Sequence, residues 1–213
     1  RGRIGVRIRG PAALATTAVT AALVLAACGG DNGDDSGSAA KASPTASAAT
    51  GAEATAGAHN DQDVSFAQGM IPHHRQAVEM AGMAASRASS AQVKDLASRI
   101  EKAQDPEIET MSGWLKAWGE DVPADMPGMD HSGHAGMAGM MDQKDMDELA
   151  DASGKAFDTK FLTMMVEHHE GAVKMAGTEK EKGRYAPATK LAGDIITAQQ
   201  AEIEEMNKLL GKG

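Results

Sequence analysis

Two adjacent histidines, His73 and His74, recur as His168 and His169, and methionines flank each pair at helical spacing: Met70 and Met80 around the first, Met165 and Met175 around the second. Imidazole is a borderline nitrogen donor and thioether a soft sulfur donor. Together they suit copper, above all Cu(I), better than Mg²⁺ or Ca²⁺. On a helix Met70 lies one turn before both His73 and His74, whereas the two histidines diverge by about 100°. One imidazole of each pair therefore faces the core while the other turns to a neighbouring helix or a cleft. Methionine on an apolar helix face is ordinarily packing, and a single core histidine is ordinarily just hydrogen-bonded. Adjacent imidazoles present twice are harder to explain that way, because each unpaired buried polar group is costly. A ligand role for at least one histidine of each pair is the stronger reading.

A second set of donors lies between the pairs. Met126, Met129, His131, His134, Met137, Met140 and Met141 fall within 126–141, interleaved with glycine and serine. So much glycine cannot sustain a helix, and exposed methionine contributes nothing to solubility. A flexible segment that wraps donors around a soft ion accounts for both. Among the carboxylates, Glu107, Glu109, Glu202 and Glu204 recur beside Gln104 and Gln199. Two readings of Glu107 stay open: a partner that orients an imidazole through its N–H, or a solvated or salt-bridged helix face. Carboxylate-bridged di-iron bundles use Glu-x-x-His on two helices. No such spacing occurs in the sequence, which argues against iron oxidation. Nucleophile elbows, phosphate loops and Cys–His arrangements are likewise missing.

The elements that position these residues follow from a repeat. With a constant offset of 95 residues, 63–115 aligns with 158–210 without a gap, and about 21 of 53 positions are identical. Each copy carries two helical patterns. Phe66, Met70, His73, Ala77, Met80 and Met83 form one apolar face; Val93, Leu96, Ile100, Ile108, Met111 and Leu115 form the next. Phe161, Met165, His168, Ala172 and Met175, then Leu191, Ile195, Ile203, Met206 and Leu210, repeat the scheme. Ser89 or Ser90 suits the second helix as a cap, and Pro187 suits the first turn of the last one. Strand signals are absent. The expectation is an all-α four-helix bundle made of two repeated hairpins, joined by a connector at about 119–143, with a short extra helix near 146–152. Pro72 implies that the first helix starts near it or bends there, and Pro106 implies a kink in the second. Arg75/Glu79 and Glu170/Lys174 exchange charge signs between the copies, which favours an i,i+4 pair within each helix.

The ends are of another kind. Residues 1–27 read as a secretory signal, with Arg1, Arg3, Arg7 and Arg9 ahead of an alanine-rich apolar stretch. Leu25-Ala26-Ala27-Cys28 resembles a lipoprotein lipobox, so Cys28, the sole cysteine, is the expected lipidation site. Residues 28–60 lack large apolar side chains and read as a disordered tether, which leaves 61–213 as the bundle domain. Removing 1–27 would change the formal net charge from -9 to about -13, by loss of four arginines. That acidity excludes nucleic acid as a partner and leaves the N-terminal lipid as the only membrane contact. The implied location is extracytoplasmic, lipid-anchored on the outer face of the cell membrane.

The runs Phe66-x-x-x-Met70-x-x-His73-His74-x-x-Ala77-Val78-x-Met80-Ala81 and Phe157-Asp158-x-x-Phe161-Leu162-x-Met164-Met165-x-x-His168-His169-Glu170-Gly171-Ala172-Val173-x-Met175-Ala176 resemble the bacterial secreted family known as domain of unknown function 305. The resemblance covers about 61–211. It implies a ferritin-like four-helix fold and, since some members are linked to copper binding and tolerance, a copper role carried by His73, His74, His168, His169, Met70, Met80, Met165 and Met175. The first run departs at Pro72 and at Arg75-Gln76, where the second has Glu170-Gly171. The leading expectation is a lipoprotein that binds copper, as Cu(I), to buffer it or deliver it to a copper-handling protein. A ferritin-like metal-dependent oxidoreductase and a metal-free helical interaction module are the alternatives.

Overall fold

The computed structural model describes residues 57–124 and 137–212. Cys28, Met126, Met129, His131 and His134, with the expected signal segment and nearly all of the expected tether, lie outside them. Five helices make up the described chain: α1 (Asp61–Arg87), α2 (Ala91–Trp118), α3 (Gln143–Asp151), α4 (Gly154–Lys182) and α5 (Ala186–Leu209). Among the described residues there is no strand, only an isolated bridge between Ala88 and Gly154. The architecture is all-α, as the periodicity predicts, and the short α3 falls where an extra helix is expected.

Local chemistry sets the helix ends. The Asn60 side chain accepts from the Gln62 and Asp63 N–H groups, and Asp63 accepts in return from the Asn60 N–H at 2.7 Å, a complete capping box. That box starts α1 at Asp61, so Pro72 does not begin the helix and lies within it. Ser90 and Asp142 cap α2 and α3, and Pro187 occupies the first turn of α5. Helix α2 closes on Gly119, whose φ of +77° supplies the left-handed residue that this kind of C-terminal cap requires. Pro106 sits inside α2 without ending it.

The apolar faces pack α1 on α2, α4 on α5, and α1 on α4. Two clusters result. Met80, Ala84, Leu96, Ile100, Phe157, Phe161 and Met165 fill one. Phe66, Met70, Met111, Leu115, Ala172 and Ile195 fill the other, with Met175 against its edge. Going up α1, the chain passes from the second cluster to the first; going up α4, it passes from the first to the second. The two helices are therefore antiparallel, and the histidines lie where they change from one cluster to the other. Glu170 and Lys174 do not form the expected i,i+4 pair among the described residues. Arg75 donates to the Pro123 carbonyl at 2.7 Å and to that of Ala124, holding the start of the connector along α1.

Each hairpin also holds the turn ahead of a helix of the other. Asp63 of α1 accepts from the Arg184 and Tyr185 N–H groups ahead of α5, the latter at 2.9 Å. Its matched residue, Asp158 of α4, accepts from the N–H groups of Ser89 and Ser90 and from the Ser89 hydroxyl, ahead of α2. The halves differ beside these contacts. Where the first has buried Ala84, the second has buried Glu179, whose carboxyl oxygens meet no hydrogen-bond donor. Burial, then the neighbouring Asp63 carboxylate, pushes Glu179 up to about 8, against a small opposing effect of Gln62. Burial alone would raise Asp63 too, but its bonds with Glu179 and with the N–H groups of Tyr185, Asn60 and Arg184 hold it below the usual range. Opposite shifts of this kind favour one proton for the pair near neutral pH. A raised acid pKa means that the folded state binds more protons than the unfolded one, so stability falls as pH rises from the usual glutamate range to about 8. Glu179→Gln, an uncharged isostere, should abolish that decline in urea unfolding between pH 6.5 and 8.5. A wild-type chain equally stable at both pH values would rule the shared proton out.

Candidate metal centre

Helices α1 and α4 cross where the histidines lie, and all four imidazoles are buried, at 0–1% exposure. The His73 and His168 rings face each other across the crossing with centroids 3.8 Å apart. His169 is next to His168 on α4, with ring centroids 6.4 Å apart. His74 and His169 turn outward to the second helix of their own hairpins. There His74 Nε2 lies 2.7 Å from Glu107 Oε2, and His169 Nε2 lies 2.7 Å from Glu202 Oε2. The open question about Glu107 is resolved by this contact: it and its matched residue orient imidazoles. Each carboxylate takes the Nε2–H, so in the neutral ring the lone pair is left on Nδ1.

His73 finds a different partner. Its Nε2 lies 3.1 Å from the Ala138 carbonyl in the connector. An N–H donated there again leaves Nδ1 as the lone-pair atom. His168 has no such partner at either nitrogen. The buried Nδ1 atoms of His73, His74, His168 and His169, and Nε2 of His168, all lack a hydrogen-bond partner in the protein. An unsatisfied buried polar group costs about 1–3 kcal/mol, and five such atoms converge on one level of the core. Burial pushes the His73 imidazole down to about 3, opposed by its bond to Ala138 and reinforced by the charges of His74 and His169. Burial, then the charges of His73, His169 and His74, hold His168 well below the ordinary histidine range. Both rings are neutral at physiological pH, as a nitrogen that binds a metal must be.

The methionines divide around this level. Met70 and Met175 border one apolar cluster, while Met80 and Met165 belong to the other. On each of α1 and α4 one thioether therefore belongs to the cluster before the histidines and one to the cluster after them. In the connector, Met137 reaches α1: its sulfur and the Met175 methyl group both approach the face left open by Gly69, at 3.7 and 3.1 Å from where a Cβ would stand. Met141 is buried in the first cluster, and Met140 is half-buried. Among the described residues no three His, Cys, Asp or Glu side chains converge to hold an ion. That holds for the four imidazoles as well as for the carboxylates; the donor types nearby, imidazole nitrogen and thioether sulfur, are those that suit a soft ion.

Sequence reasoning missed the residues that bring the connector here. Both oxygen and nitrogen of the buried Gln76 amide pair with the Met141 backbone, at 2.8 and 2.9 Å. At Gly171 an added Cβ would stand 2.0 Å from the Ala138 oxygen. Positions 76 and 171 are matched in the repeat yet chemically unlike. That mismatch was the available signal.

The family described as Domain of unknown function (DUF305) matches residues 63–210. Solved structures agree. A DUF305 protein from Streptomyces coelicolor, described as secreted, is 34% identical with a TM-score of 0.64, over 71% of this chain and 93% of that one. A DUF305 fragment from Deinococcus radiodurans is 28% identical with a TM-score of 0.65, over 74% and 100%. CopM in its Cu(II)-bound form is 41% identical with a TM-score of 0.61, over 70% and 95%. Its Cu(I)-bound form is also similar, at 36% identity and a TM-score of 0.58, over 69% and 94%. No protein of curated function matches the chain.

The buried imidazoles have a measurable cost. In the unfolded chain His73 and His168 titrate near 6.5; folded, they titrate far lower, His73 at about 3. Between those values the unfolded state binds more protons, so stability falls as pH drops below about 6.5. The trend should be clearest in the Glu179→Gln background, where the opposing carboxyl proton is gone. Urea unfolding of that variant at pH 7, 6, 5 and 4 should show a steady loss. A flat profile would contradict the assignment of neutral, buried rings.

Proposed function

The chain belongs to the DUF305 family, and on that premise we propose that it is an extracytoplasmic copper-binding protein that buffers Cu(I) or hands it to a copper-handling protein. The observation that carries this reading is the layer of buried imidazoles whose Nδ1 atoms have no partner in the protein, two of them oriented by Glu107 and Glu202. His73, His74, His168 and His169 would hold the ion, with Met70, Met80, Met165 and Met175 as flanking thioether donors. Met126, Met129, His131, His134, Met137, Met140 and Met141 would supply weaker, exchangeable donors in the connector. Cu(I) is the cargo: it gains nitrogen and sulfur ligands in a site that excludes water, while the glutamates keep the donor atoms aimed inward. The copper-bound forms of CopM support the choice of metal.

The domain plan belongs to the same proposal: a signal at 1–27, a lipid on Cys28, a tether over 28–60 and a metal-binding domain at 61–213. The description of the Streptomyces coelicolor relative as secreted supports a location outside the cytoplasm. No helix among the described residues is long and apolar enough to cross a membrane.

Anaerobic titration of Cu(I) against a chromophoric chelator tests the metal. The wild-type chain should compete for Cu(I), and changing His73, His74, His168 and His169 to Ala should remove the tightest site. Replacing the seven connector donors by Ser should remove only weaker sites. Unchanged competition by both variants would refute the reading, and turnover of Cu(I) or Fe(II) with oxygen would favour the oxidoreductase instead. For the anchor, bacteria fed labelled palmitate should incorporate the label into the wild-type protein and lose it with Cys28→Ala. Equal labelling of the two would place any lipid elsewhere.

A further inference from the structure

We infer that Gln76 and Gly171 are positioning residues for the metal layer, which seat connector segment 137–141 so that the Ala138 carbonyl fixes the Nε2–H form of His73 and turns its Nδ1 toward the ion. The metal half of this inference rests on the copper reading; the tautomer half does not.

Three of the four imidazoles have a partner at Nε2, and the partners are of two kinds. His74 and His169 use glutamates fixed on neighbouring helices. A helix-borne carboxylate is held by its own backbone and needs no further support. His73 uses a backbone carbonyl in a segment that belongs to no helix. That carbonyl is as well placed as the segment that carries it.

Two features place the segment. Gln76, 2% exposed, satisfies both backbone groups of Met141 through its amide. This is the two-point pairing that a neighbouring strand would give, supplied here by one side chain. On the facing helix, Gly171 leaves a hollow into which the Ala138 carbonyl sinks: a Cβ there would stand 2.0 Å from its oxygen and 2.8 Å from the Gly139 Cα. Between them the chain turns, with the Met140 N–H donating to the Met137 carbonyl and Gly139 at φ +81°. Gly139 itself lies so close to α4 that a Cβ would approach the Glu167 carbonyl to 2.7 Å. Hook, turn and hollow fix the carbonyl from both sides. The two matched positions of the repeat have diverged because one connector crosses both helices and makes a different demand on each.

A seat of this kind also covers the layer. The segment lies directly over His73 and against the backbone at His168, and Met137 at its leading end sits beside Met175. Loosening the seat should therefore change how fast the ion leaves as well as which nitrogen of His73 is protonated. His74 and His169 provide an internal control, since their glutamates are untouched.

Gly171→Ala and Gln76→Leu, each in the full chain, test this with two readouts. Without metal, imidazole ¹⁵N shifts should show His73 in a single Nε2–H tautomer in the wild-type protein and a mixture in both variants. Amide hydrogen exchange over 137–141 should accelerate, while His74 and His169 keep their tautomers. With Cu(I), transfer to a chelator should be about tenfold faster or more. Should Gly171→Ala not fold, Gln76→Leu carries the test alone, and Gln76→Glu, which keeps the acceptor but not the donor, should lie between it and wild type. A single His73 tautomer retained in the variants would overturn the inference. So would equal disturbance of His74 and His169, which would indicate general loosening of the bundle. If the wild-type chain binds no Cu(I) but the tautomer and exchange results hold, the copper reading fails and the positioning roles stand.

Discussion

A helical core offers no water to a polar side chain, so every nitrogen placed there must be matched by the protein or by something it holds. Four imidazoles at one level of this core make that constraint severe, and much of the surrounding structure answers it. Glu107 and Glu202 approach from the outer helices at the same 2.7 Å distance. The connector crosses the two inner helices and gives one carbonyl to His73. The apolar clusters stop on either side of the histidines, and thioethers, which tolerate both apolar neighbours and soft ions, occupy their borders. A layer of this sort is weak support for a fold on its own, since unpaired buried nitrogens subtract from stability. Its persistence is understandable where a ligand supplies the missing partners.

The repeat would make the two histidine pairs equivalent, but the connector prevents it. A single segment can lie on only one side of the crossing. His73 gains a carbonyl; His168, its counterpart, faces it with neither nitrogen bonded to protein. The second asymmetry lies at the far end of α4, where buried Glu179, pushed up by burial and by Asp63, stands at the position that Ala84 holds in the other half. The two departures differ in character. One shapes the donor atoms of a binding layer, and the other sets how the ends of helices α1, α4 and α5 respond to alkali.

Much of this was legible in the residues. Spacing of three and four gave the long helices, the constant offset paired them, and the short helix before Ser153 could be anticipated. The histidine pairs and their methionines marked the site because their types are unusual for a core. Other features were not legible, for identifiable reasons. Pro72 allowed either a helix start or a bend, and the capping box at Asn60 removes the first. Arg75 and Glu79 suit an i,i+4 pair, but periodicity does not show that Arg75 also reaches two connector carbonyls. Gln76 and Gly171 carry no chemical signature of metal binding; their roles depend on where an irregular segment crosses, which no periodicity encodes. Asp63 and Asp158 are identical in the repeat, but nothing in one sequence says that each binds the inter-helix turn of the opposite hairpin.

That exchange of turn contacts bears on how the chain acquires its structure. Asp63 and Arg184 are 121 residues apart, and Ser89 and Asp158 are 69 apart. A simple up-and-down bundle closes mainly through contacts between neighbours in sequence and is correspondingly fast to assemble. Here the start of α5 is secured only when the beginning of the domain meets its last third, so a chain emerging from synthesis holds its first hairpin without the carboxylate that completes it. In the finished structure each hairpin completes a turn of the other, and the buried imidazole layer needs both, His73 and His74 from one and His168 and His169 from the other.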